Sequence, residues 1–157
     1  MEIESKHQYA GFWKRTMAAI IDGIVLTLAR GIVGGLVILM IHGIMNLFNI
    51  PNESRMLVWL IAASAGALIN FWGTWLYYCL MESSSSQATL GKMALGIKVV
   101  DYDGERVTFE RLTARHFTKF ISWIIIFVGF FMAGFSSRKQ ALHDIISSCL
   151  VVDKYWS

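Results

Sequence analysis

One proline, two cysteines and only 16% charged side chains in 157 residues leave little with which to build an ordinary water-soluble domain. Such domains carry roughly 25% charge. Cys79 and Cys149 match no metal-ligand spacing, and a single disulfide would not staple a chain of this kind, so both are read as reduced thiols. A cleavable secretory signal is not expected. Glu2 and Glu4 sit at the start, the following apolar run is too long, and no A-x-A site closes it. The Gly-Lys pair in "TLGKMALG" (89–96) lacks the earlier glycine of a P-loop, and no Ser or Thr follows Lys92. No Ser/His/Asp arrangement and no metal set is found, and His143 beside Asp144 means little alone. An enzyme is therefore not expected, and no cofactor. The basic residues between positions 92 and 119 are offset by Glu82, Asp101, Asp103, Glu105 and Glu110, which argues against a nucleic-acid partner.

What is present is hydrophobic: 55% of residues, with a mean hydropathy of +0.53. A membrane-spanning helix needs about 20 mostly apolar residues. Two segments qualify, 16–41 and 56–81, and a third, 120–135, is shorter but uncharged. Trp13, Trp59, Tyr77, Tyr78 and Trp123 stand near their ends, as aromatic residues do at membrane interfaces. Lys6, Lys14 and Arg15 precede the first segment. Lys92, Lys98, Arg106, Arg111, Arg115 and Lys119 follow the second, whereas the 42–55 connection holds only Arg55. The positive-inside rule then places the N-terminus and the second loop in the cytoplasm. The tail, with Arg138, Lys139 and Lys154, favours the same side. Segment 120–135 either crosses fully or re-enters as a broken hairpin near Gly129, where irregular backbone needs a covering of protein.

Between the membrane segments, "GIKVVDYDGERVTF" has an Asp-Gly pair between apolar runs, which signals a β-hairpin over 97–109. "CLVVD" (149–153) would add a third strand, if the tail is cytoplasmic. "SSSS" (83–86) reads as a flexible exit from the bilayer. Residues 110–119 form a basic amphipathic helix with Arg111, Arg115 and Lys119 on one face, suited to anionic lipid.

Inside the first segment lie Asp22 and Arg30. Seven residues turn a helix by about 700°, so Arg15 and Asp22 share a face, about 10.5 Å apart along the axis. An intramembrane aspartate costs roughly 2.5–3.5 kcal/mol, and such groups are either functional or paired to fix packing. If the span ends at Gly34–Gly35, Arg30 snorkels outward and 36–49 becomes an interfacial helix with His42 and Asn46. Ala19, Gly23, Thr27 and Gly31 recur every four residues, as do Ala62, Gly66 and Asn70. Such stripes serve close helix packing, within the chain or against a second copy.

The blocks "YAGFWKRTMAAIID" (9–22), "QATLGKMALGIKVVDYDG" (87–104) and "RKQALHD" (138–144) followed by "CLVVD" resemble the RDD family of small prokaryotic membrane proteins. Its name-giving arginine and two aspartates match Arg15, Asp22 and Asp144. Ser147 and Cys149 stand where the family usually has a small residue and a threonine, and Arg30 lies outside its pattern. The resemblance covers about 9–153, leaving 1–8 as an arm and 154–157 as a tail. It implies a multi-pass protein of the prokaryotic inner membrane, with transport presumed and cation/proton antiport proposed within the family. Arg15, Asp22 and Asp144 are then expected to gather near the inner face, with Arg30 and His143 as secondary candidates.

The expected architecture is an all-α membrane protein. It is a small helical bundle with two clear transmembrane helices, a third shorter membrane segment and a small cytoplasmic β-hairpin. Two functions fit. One is an oligomer exchanging small monovalent cations for protons through Asp22. The other is a non-catalytic scaffold or accessory subunit packed against another membrane protein, with the Arg/Asp/Asp set structural. The expected partners are the lipid bilayer and either a second copy or another membrane protein.

Overall fold

A computed structural model of the chain describes residues 9–124 and 142–153. The arm, the tail and segment 120–135 beyond Ile124 lie outside the described residues. Two long helices dominate: α1, Phe12–Leu47, and α2, Asn52–Ser83. Both are long and apolar enough to cross a membrane. At 1.5 Å per residue, α1 runs about 54 Å. Large apolar side chains along it, such as Leu28, Ile32, Leu36 and Leu39, are exposed on the chain's own surface, the composition a bilayer solvates.

The break expected at Gly34–Gly35 is absent, because α1 is continuous through it. Two helical glycines cost about 1 kcal/mol each, whereas opening the backbone in hydrocarbon strands polar groups at several kcal/mol apiece. The helix ends instead in a Schellman motif. Asn49 takes a left-handed φ of 47°, its N–H donates to the Asn46 carbonyl at 3.2 Å, and the Ile50 N–H donates to the Met45 carbonyl at 2.9 Å. Pro51, the sole proline, follows where the helix can no longer continue.

The chain divides into two compact units. One is the helical pair Gly23–Thr74. The other gathers the chain up to Asp22 and from Trp75 onward. In this second unit come α3 (Leu90–Ala94), β1 (Ile97–Asp101), α4 (Phe109–Ile124), α5 (Leu142–Ile146) and β2 (Cys149–Asp153).

The strand pairing departs from the expected hairpin. β1 pairs antiparallel with β2, Ile97 opposite Asp153 and Asp101 opposite Cys149, and 105–108 is not a strand. The Asp-Gly turn does form: Asp101 Oδ1 accepts from the Asp103 and Glu105 N–H groups at 3.0 and 2.9 Å. The residues beyond it have other partners. Arg106 donates to the Ser83 and Ser84 carbonyls, and the Thr108 hydroxyl caps α4 by accepting from the Arg111 N–H at 3.5 Å. The same Arg106 bonds reach the start of the serine run, which forms a turn over 84–86. β2 is apolar at Leu150, Val151 and Val152 and buried on both faces. Val99 and Val151 pack with Ala18, Cys79 and Leu112, while Val100, Leu150 and Val152 form the opposite layer under Tyr9. Tyr9 bridges to Val152, and the Ala10 N–H donates to the Val151 carbonyl at 2.9 Å.

Candidate functional site

Asp22 lies one turn from Ala18 on α1 and is 1% exposed. Its carboxylate is gripped by Tyr77 of α2 and by the segment that follows that helix. The Thr89 hydroxyl donates to Oδ2 at 2.6 Å. The Gly91 N–H donates to Oδ1 at 2.8 Å. Tyr77 donates to the same oxygen at 2.9 Å while accepting from the Leu90 N–H at 3.1 Å. Thr89 is also the N-cap of α3. The "TLGK" stretch thus has a use that a nucleotide motif search does not consider: it cradles a carboxylate of its own chain.

A separate run of ion pairs crosses the same unit. Lys92 Nζ donates to Glu82 Oε1 at 2.6 Å. The other Glu82 oxygen accepts from Arg115 Nη1 at 2.6 Å. Arg115 also reaches Asp144 Oδ1, with Nε at 2.8 Å and Nη2 at 2.7 Å. Asp144 Oδ2 accepts from Arg15 Nη1, and Arg15 Nε donates to the Ala10 carbonyl at 3.1 Å. Arg15 Nη2 is buried with no hydrogen-bond partner among the described residues. Asp144, Glu82 and Arg115 are at most 3% exposed. Burial alone would lower the Arg115 guanidinium, but the Asp144 and Glu82 carboxylates reverse this and hold it above the ordinary arginine range. Beside it, burial pushes the Cys149 thiol up, and the Arg115 charge opposes that only in part.

The structure therefore places Arg15 on Asp144, while Asp22 takes neutral donors. Arg15 and Asp22 share a helix face without bonding to each other. Arg115, expected on a lipid-facing surface, points inward to two carboxylates. Of that basic face Arg111 is the exposed member, 3.8 Å from Asp101, and the Lys119 side chain lies outside the described residues. So does the side chain of His143. Sequence reasoning counts Glu82 and Lys92 as loop charges and Tyr77 as an interface marker, and misses the bonds that they make. The readable signal for Glu82 was an acid directly after an apolar span.

The small residues fall differently from a simple intramolecular seam. Ala19, Gly23, Thr27 and Gly31 are exposed. In the Gly23–Thr74 unit, Ala62, Gly66 and Asn70 line a groove together with Arg30. Arg30 is exposed and donates to the Thr74 hydroxyl. No group of His, Cys, Asp and Glu suited to a metal ion occurs among the described residues.

Comparison with known proteins adds a frame. The model of the RDD family matches residues 9–148. The chain is 37% identical over 152 residues to the uncharacterized protein YxaI of Bacillus subtilis (strain 168), covering 92% of this chain and 97% of that one. It is 32% identical over 152 residues to the uncharacterized membrane protein YteJ of the same organism, covering 93% and 82%. No solved structure matches.

Proposed function

This chain belongs to the RDD family, and we propose that it works as a membrane scaffold or accessory subunit, with its arginine and two aspartates holding the fold together. The observation that carries this reading is the environment of Asp22: a buried carboxylate whose three partners all donate to it. A proton or cation carrier needs a carboxylate that exchanges partners with a pathway. Asp22 instead ties α1 to α3, and Asp144 ties α1 to α4 and α5. Loss of one partner from such a network leaves a buried charge uncompensated, which is a structural penalty at every stage of any cycle. In this reading the unit holding the network faces the cytoplasm, as the Lys/Arg bias of its loops favours.

The rival is cation/proton antiport with Asp22 as the carrier. Purified protein in liposomes with a pH probe, under a sodium or potassium gradient, separates the two. The scaffold reading expects no proton flux above protein-free vesicles, a lower unfolding midpoint for Asp22→Asn, and a stoichiometric membrane partner recovered in mild detergent. Cation-dependent proton flux that a folded Asp22→Asn variant lacks overturns it. The side is tested with a cysteine at exposed Asp103 after Cys79→Ser and Cys149→Ser, where labelling from outside reverses the assignment.

A further inference from the structure

Independently of that reading, we infer that the groove of the Gly23–Thr74 unit is a binding site for one anionic phospholipid, with the lipid phosphate on Arg30. Arg30 is the single charged residue between positions 23 and 52. Among the described residues its hydrogen-bond partner is a neutral hydroxyl, Thr74, which itself donates to the Asn70 carbonyl at 2.6 Å. The acid of this unit, Glu53, sits in the first turn of α2, some twenty residues from Thr74, or about 30 Å along the helix. A guanidinium has five N–H donors and is suited to a phosphate.

The groove measures about 530 Å³, and its polarity is one-sided. Arg30, Asn70 and Thr74 gather at one end. Beyond them Val33, Val37 and Ile41 face Ala62 and Gly66, with no charged group along that length. From Arg30 to Ile41 is about 16 Å of helix, close to the ~15 Å hydrocarbon depth of one leaflet. The polar end lies at an aromatic level. Trp72, 51% exposed, meets Phe71 edge-to-face at 5.4 Å, two residues from Thr74, and exposed tryptophan marks the headgroup region. A site with one cationic end at headgroup depth and an uncharged slot leading inward fits an amphiphile. Basic pockets between transmembrane helices bind anionic headgroups in this way. A partner helix bearing a carboxylate would also meet Arg30, but it would leave the gathering of polar groups at one end without a role.

The test is native mass spectrometry of the full chain in detergent, exchanged with equal parts of phosphatidylglycerol and phosphatidylcholine. The wild type should retain phosphatidylglycerol over phosphatidylcholine by about fivefold, the worth of one cation near an anionic headgroup. Arg30→Gln should bring the two near parity, and Arg30→Lys should keep most of the excess. Gly66→Leu, which fills the groove and alters no charge, should remove the excess too, and it stands in if Arg30→Gln fails to fold. Equal retention by the wild type overturns the site. So does an excess unchanged in Gly66→Leu, or a lipid profile unchanged in Arg30→Gln while a copurifying protein is shed, which would mean that an acidic helix occupies the groove.

Discussion

Gly91 stands so close to Ala18 that a Cβ on it would lie 2.1 Å from the Ala18 carbonyl oxygen and 3.0 Å from the Asp22 carboxyl carbon. That approach is what lets the Gly91 N–H reach Asp22 Oδ1 at 2.8 Å. The glycine is selected by contact with a neighbouring helix backbone. α3 can rest on α1 only where one residue has no side chain, and the bond to Asp22 follows from it.

Gly91→Ala is therefore expected to lower stability by about 1–3 kcal/mol, the range for overpacking a tight contact. The opposing atom is backbone, so shortening the Ala18 side chain gives no relief. Reversible unfolding in mixed micelles measures this, with Gly91→Ala compared alone and with Ala18→Gly. Recovery in the double variant, or no loss in the single one, would mean that α3 is not seated on α1 as described.

The two kinds of ion pair should separate sharply. Arg115→Met leaves Glu82 and Asp144 buried without their shared cation, and breaking a buried pair from one side costs about 3–5 kcal/mol. Lys14 also pairs with a carboxylate, Asp153 at 2.7 Å, but the Lys14 side chain is half exposed, and such pairs contribute about 0–1 kcal/mol. Unfolding free energies of Arg115→Met and Lys14→Met, measured side by side at low and high salt, test the contrast. The Lys14 effect should shrink with salt and the Arg115 effect persist. Equal losses would place Arg115 at the surface.

Part of this architecture is legible in the amino-acid sequence. The two long helices announce themselves because hydropathy acts locally. The partners of the charges did not, because Glu82, Arg115 and Asp144 meet only once α4 and α5 pack together. Periodicity placed Arg115 and Arg111 on one face without showing that Leu112 and Arg115 turn inward. The Asp-Gly pair signals a β-hairpin over 97–109; its turn forms, but β1 takes its strand partner from nearly fifty residues away. Strand choice follows burial on both faces, and "CLVVD" offers more of it than "RVTF".

Cys149 gives the network a pH signature. Its thiol is buried, held above the ordinary range chiefly by burial, and its Sγ donates to the Ser147 carbonyl at 3.3 Å. The native state thus binds the thiol proton more tightly than the unfolded state does. This contributes stability that is complete below the unfolded thiol value of about 8.5 and is lost as pH rises through the higher native value. Cys149→Ala lacks the titration but shares every other group. The wild-type minus variant unfolding free energy should stay level at neutral pH and fall as pH climbs past about 8.5. In the same range a maleimide should react with the unfolded chain and spare the folded one. A difference that stays flat, or rapid labelling of the folded protein, would put Cys149 outside the packed layer beside Arg115.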